Sequence, residues 1–186
     1  MRFIDPRHDR WHRVEGEDGP IPHPDTQPGR LLTLEQWHAV RDTWPKGLPT
    51  GVLLPNTLDV DTLADDVRGP RSRLSLVVLE FPKWTDGRAY SQARVLRARH
   101  RFDGEVRAVG EVLVDMLPLL QRTGFDALQL RHDQSVQAAV RALGFFAGHY
   151  QGDVRQTAPA FARDLAAELA VDDQRDRAEL FAGQGI

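Results

Sequence analysis

The eleven residues from Phe81 to Ser91 gather Lys83, Asp86, Arg88, Tyr90 and Ser91 around a single Gly87. Two cations on one loop, next to a helix N-terminus with free N–H groups, suit a small oxyanion such as sulfite, sulfate or phosphate. Lys83, Asp86, Arg88 and Tyr90 are the candidate catalytic groups, with Ser91 beside them as a further anion ligand. The Tyr90 phenol is a potential proton donor, although its position also fits packing against a sheet. An Asp86–Arg88 contact that merely staples the loop is the competing reading.

Arg107 lies between Val106 and Ala108 in a strand-like run that ends at Gly110. A buried guanidinium needs a carboxylate, and Glu80 and Asp126 on neighbouring strands are the expected partners. Arg107 and the Gly110 backbone therefore join the candidate anion-binding set, with Glu80, Asp115 and Asp126 behind them. Asp115 reads equally as a solvated helix residue, and His132 as a turn histidine. His8 and His12 have i,i+4 spacing without an acidic partner, so no metal site is expected.

These groups depend on the elements that carry them. Leu74–Phe81, Glu105–Gly110 and Phe125–Leu130 read as strands of a sheet covered on both faces, and Gly51–Pro55 as a fourth. Tyr90–His100, Val112–Leu120 and Ser135–Leu143 have helical spacing, with Pro118 expected to bend the second and Gly124 to close it. Thr33-Leu34-Glu35-Gln36 has the pattern of a capping box before a helix that stops ahead of Pro45. Val60–Val67 reads as a short helix ended by Gly69-Pro70, and Ala158–Ala170 as an amphipathic helix before an acidic tail. About four βα units with parallel strands predict an α/β, half-TIM-barrel-like fold, the alternative being an open doubly wound sheet. The corresponding divisions are an N-terminal extension with one helix (1–48), the βα core (49–155) and a C-terminal helix with the tail (156–186). A half-barrel leaves sheet edges to protect, so self-association as a homodimer, or an N-terminal segment laid over an edge, follows.

Composition narrows the function. The chain has 186 residues, a net charge of −3 and no cysteine. It therefore offers no general attraction for nucleic acid, no thiolate nucleophile, and no Cys-ligated zinc or iron–sulfur cluster. The cofactor is left unknown. There is no Walker A loop, GxGxxG, HExxH or GxSxG. With no 18-residue apolar run and no signal-peptide core, no membrane association is expected and the location is read as cytoplasmic. Between residues 81 and 110, seven Lys/Arg face three Asp/Glu. That surplus suits a docking face for an acidic partner or an anionic cofactor.

Phe81-Pro82-Lys83-Trp84-Thr85-Asp86-Gly87-Arg88, Tyr90-Ser91-Gln92-Ala93-Arg94, Leu96-Arg97, Arg107-Ala108-Val109-Gly110 and Gly124-Phe125-Asp126-Ala127 resemble the bacterial domain-of-unknown-function family numbered 934. The likeness covers about residues 50–150. Trp84 stands where the family usually has Phe, Ala89 for Gly, Met116 for Gln and Thr123 for Cys. The resemblance implies an oxidoreductase label tied to sulfite reduction, with no established mechanism or cofactor. Six-electron sulfite reduction uses sirohaem and a thiolate-held cluster, which a chain without cysteine cannot hold. The expectation is thus an accessory of assimilatory sulfite reduction that binds a small oxyanion or docks to sulfite reductase or another sulfur-assimilation protein. A stand-alone small-molecule enzyme with an anion site and a non-catalytic interaction module are the alternatives.

Overall fold

The apolar runs pair into a sheet in which every strand is parallel. The computed structural model describes residues 1–146 and 149–162, which belong to two units, Met1–Phe146 and Ala147–Ile186. The strands of the first unit are β1 (Arg2–Phe3), β2 (His12–Arg13), β3 (Glu15–Gly16), β4 (Gly19–Pro20), β5 (Arg30–Thr33), β6 (Thr50–Leu54), β7 (Leu76–Phe81), β8 (Glu105–Gly110) and β9 (Ala127–Leu128). Seven of them form one sheet in the order β1-β9-β8-β7-β6-β5-β2, while β3 and β4 make a small antiparallel hairpin.

From β5 to β9 the strands are laid down in chain order. Between and after them run α1 (Leu34–Val40), α2 (Ala64–Val67), α3 (Arg88–Ala98), α4 (Leu117–Thr123) and α5 (Val136–Leu143). A doubly wound sheet reverses its order at a switch point. This one does not, and the result is a half-barrel. The unforeseen strand is β5, which raises the count to five βα units. Its apolar signal is only Leu31-Leu32, immediately before the Thr33 cap. That cap is a full capping box: Thr33 Oγ1 accepts from Gln36 N at 3.2 Å and Gln36 Oε1 from Thr33 N at 2.8 Å.

Alternation along each strand sorts the sheet into two faces. Leu32, Val52, Leu54, Val77, Leu79, Phe81, Val106, Ala108 and Leu128 meet the helices, chiefly Trp37, Ala89, Ala93, Leu96, Leu117 and Leu120. The opposite, inner face carries Leu31, Leu76 and Val78, with Leu53 and Val109 at its margin, and is filled by Trp11. A complete barrel would fill this space with side chains from the missing strands. Here the N-terminal segment does so.

That segment also answers the edge problem. β1 pairs with β9 and β2 with β5, so one strap, Ile4–Trp11, joins strands bordering β9 and β5. Six strand spacings in a flat sheet would separate β1 from β2 by about 29 Å. The connecting chain, with its 3₁₀ turn at Pro6–His8, reaches only about 26 Å. The short tether is therefore consistent only with a curled sheet.

Two local expectations change. Pro118 does not interrupt a helix, because a 3₁₀ turn at Val114–Met116 precedes α4 and places Pro118 in its first turn, where no N–H is needed. The strand expected over Phe125–Leu130 shrinks to Ala127–Leu128. Gly124 closes α4 in the left-handed region, at φ 106°.

In the second unit, a turn forms around Asp153, whose carboxylate accepts from Arg155 N and Gln156 N at 2.8 Å. The rings of Tyr150 and Phe161 meet at 5.9 Å, tilted by 45°. Ala160–Ala162 is 3₁₀; the remainder of the helix expected to Ala170, and the acidic tail, lie outside the described residues. Among the described residues no helix is long and apolar enough to cross a membrane.

Candidate functional site

β7 delivers the chain into the polar turn at the carboxyl end of the sheet, and α3 takes it away. Asp86 N donates to Lys83 O at 3.0 Å and Tyr90 N to Gly87 O at 3.1 Å, which tightens the turn. Asp86 acts as the local anion of this helix start. Its Oδ1 accepts from Arg88 N at 3.3 Å, and its two oxygens take Arg88 Nε and Nη2 at 3.0 and 2.6 Å. The Arg88 side chain first, then its backbone N–H and the Asn56 side chain, hold the Asp86 carboxyl well below the usual carboxylate range; Asp86 in turn raises Arg88. The loop-staple reading is therefore present in the structure. Lys83, Trp84, Thr85 and Ser91 are exposed, and Lys83 makes no ion pair among the described residues.

Tyr90 packs edge-on against Phe81 at 5.1 Å and Phe125 at 6.5 Å. Burial pushes its phenol up to about 12, so at neutral pH it is un-ionised and cannot act as a phenolate base.

The next two strand ends lie alongside. Gly110, at φ 93°, approaches β7 so closely that an added Cβ would stand 2.4 Å from Phe81 O. Glu111 N donates to that same carbonyl at 2.8 Å. Arg131, after β9, donates to Glu111 at 2.7 Å and forks onto Asp133 at 2.7 Å through both Nε and Nη2. Asp133 is accordingly held below the usual carboxylate range, mainly by Arg131. The carboxyl-end groups expected from β7, β8 and β9 thus occupy neighbouring strand ends, but most of their charge is already paired. Asp115 is exposed in the 3₁₀ turn and His132 is exposed in its loop.

Arg107 belongs elsewhere. It is 3% exposed on the inner face, three residues before Gly110. Its partners are Glu105, at 2.9 Å from Nε, and Asp9 of the strap, in place of the expected Glu80 and Asp126. Arg2 joins the same network through Glu105. The reason is parity: Asp126 precedes β9 and serves Arg97 and Val106 N, the latter donating at 2.9 Å. Glu80 shares the inner face but stands opposite Val109, with no ion pair among the described residues. Arg107 lines a cleft with residues of the Arg2–Arg10 segment, none of which comes from the Lys83–Arg88 turn.

Sequence reasoning missed Asn56 and Gln92. Both are buried, at 6% and 7% exposure, Asn56 beside the Asp86 carboxylate and Gln92 with its Oε1 lacking a hydrogen-bond partner among the described residues. Gln92 Nε2 donates to Pro55 O at 3.0 Å and Leu58 O at 2.8 Å, fastening α3 to the loop after β6. The available signal was a polar residue directly following the strand-ending Pro55. It also treated the basic run after the turn as one face. Arg97 is instead consumed internally, donating to Gly124 O at 3.0 Å and Gly104 O at 2.8 Å and pairing with Asp126. Among the described residues, no three His, Asp or Glu side chains are grouped so as to hold a metal ion.

No curated protein matches the chain. Residues 51–161, more than half of its length and including all three strand-end loops, match the family described as bacterial protein of unknown function (DUF934). The chain belongs to that family.

Proposed function

We propose that this protein is a cytoplasmic accessory of assimilatory sulfite reduction that docks onto the sulfite reductase, or a neighbouring sulfur-assimilation protein, through the turn after β7. The observation that carries this reading is Trp84. Three of the four tryptophans are buried at 5% exposure or less, whereas Trp84 is 56% exposed at the tip of the turn beside Lys83, which has no ion pair among the described residues. Aromatic side chains on fixed backbone are the usual anchors of protein interfaces, because they bring large contact area at little entropic cost. The Asp86–Arg88 fork and the Gln92 contacts fix this backbone. Oxyanion capture by the same loops is disfavoured, since it would compete with the carboxylates that already hold Arg88 and Arg131. The electron-transfer chemistry belongs to the partner, whose cluster needs thiolates that this sequence lacks.

Deleting the gene tests the place in metabolism: cells should grow on sulfide but not on sulfate or sulfite. Trp84→Ala and Lys83→Glu should fold with unchanged circular dichroism, fail to complement, and no longer crosslink to reductase subunits. Growth of the deletion strain on sulfite, or full complementation by both variants, would refute the proposal.

A further inference from the structure

A second basic feature lies at the opposite end of the half-barrel, where α3 ends and β8 is about to begin. A cleft of about 860 Å³ opens there between the segment Asp61–Arg71 and residues Arg99–Arg101. The two walls are joined by Gly69 N, which donates to His100 O at 3.1 Å. Four arginines line the cleft, Arg68, Arg71, Arg99 and Arg101, against two carboxylates, Asp61 and Asp65.

The pairing within it is uneven. Asp61 is spent on the cleft's own wall, with Oδ1 2.9 Å from His100 Nε2 and Oδ2 accepting from Arg99 Nη1 at 2.8 Å. The His100 side chain is 4% exposed, so this pair is a built floor and not a surface contact. Arg68, Arg71 and Arg101 are exposed and make no hydrogen bond or ion pair among the described residues.

Arg101 adds an independent sign. Its φ of 52° is the one positive value at a non-glycine residue among the described residues. This is the left-handed position just past a helix, where glycine is favoured because an L side chain is strained. Glycine would satisfy the turn better; arginine places a guanidinium on the cleft. Strained backbone of this kind concentrates at functional sites.

We propose that this cleft binds a compact polyanion carrying a diphosphate group. Three guanidiniums without a partner among the described residues exceed what one tetrahedral anion requires, and guanidinium forks match phosphate oxygens in pairs. The volume is far larger than a single oxyanion and falls in the range of small-molecule sites. No Phe, Tyr or Trp lines it, and the His100 ring is engaged by Asp61, so recognition is by charge. The site is separate from the docking turn, and neither proposal depends on the other.

Isothermal titration of the full-length protein with pyrophosphate, ATP and sulfate, at one fixed ionic strength, tests this. Pyrophosphate should bind saturably with one site. Arg71→Gln and Arg101→Gly should each weaken it by about tenfold, the size expected for one charge-assisted contact. Lys46→Gln, which removes an exposed positive charge far along the sequence, should bind as the parent does. Arg101→Gly should also hold or raise the melting temperature, so that lost affinity cannot be ascribed to misfolding. ATP binding more tightly than pyrophosphate would assign the site to a nucleotide tail; binding equally or more weakly would assign it to the free diphosphate. The absence of saturable heat, parent-like affinity in both arginine variants, or sulfate binding as well as pyrophosphate would each overturn the proposal.

Discussion

Removing the Arg107 guanidinium should loosen the strap before it affects any chemistry. The side chain is 4% exposed, and its partners Asp9 and Glu105 are 16% and 7% exposed. Arg107→Ala would leave two little-hydrated carboxylates on the inner face. Glu105 keeps Arg2, but among the described residues Asp9 has no second cation and retains Trp11 N, which donates at 3.3 Å. Breaking a buried pair from one side costs about 3–5 kcal/mol, and Arg2 favours the lower part of that range. For a domain of this size that corresponds to a fall in melting temperature of about 10 °C. Asp9→Asn keeps the Trp11 contact and leaves Arg107 with Glu105, so its loss should be smaller. The double variant should be less destabilised than the sum of the two, since the pair is then removed together. Urea denaturation followed by circular dichroism would measure the energies. Limited trypsin digestion would locate them, since the strap carries Arg7 and Arg10 and should be cut first. An Arg107→Ala protein within about 0.5 kcal/mol of the parent, with an equally resistant strap, would show that this guanidinium is not structural.

Two further outcomes follow from the strand-end loops. Gly110→Ala must fit a Cβ at φ 93° against Phe81 O, and should lower the unfolding free energy by an amount on the order of 3 kcal/mol, read as a lower urea midpoint with an unchanged slope; an unaltered midpoint would contradict the close approach of β7 and β8. The Asp86 carboxyl, held down by Arg88, should remain ionised below the ordinary aspartate value of about 3.9 in a carbon-detected NMR titration, and Arg88→Gln should return it towards that value. Because the folded-state value is depressed, the stabilisation it brings is present above about pH 3.9 and is lost as pH falls below that. Parent and Arg88→Gln stability curves should therefore converge on the acid side.

Elements with strong local signals were legible in the sequence. Thr33 and Gln36 cap α1 through their own side chains, β7 and β8 are unbroken apolar or near-apolar runs, and Gly124 supplies the turn that α4 needs. What the sequence concealed depends on distant pairing. That the N-terminal segment would cover an edge, with a short strand near Met1–Val14, was readable, but not that Arg2–Phe3 and His12–Arg13 would clasp the two opposite borders, since no local propensity marks their partners. The same holds for Arg107: the need for a carboxylate was readable, but Asp9 is 98 residues away and reaches it only after the strap has crossed the sheet. At the turn, residue types suggested a ligand site, whereas Asp86 and Arg88, two positions apart, satisfy one another first. Spacing alone does not rank an internal partner against an external one. The solitary exposed tryptophan could be judged only once the other three were seen to be buried.

The clasp between β1 and β9 has a consequence for biosynthesis. The hydrogen-bonding partners of residues 2–3, Ala127 and Leu128, are made more than a hundred residues after them. Until then the growing sheet shows an open border and an unfilled hollow to the surroundings. Such late, long-range closure slows folding and leaves nascent chains open to wrong pairing. Fusing a bulky partner ahead of Met1 should accordingly reduce soluble yield more than the same fusion after Ile186.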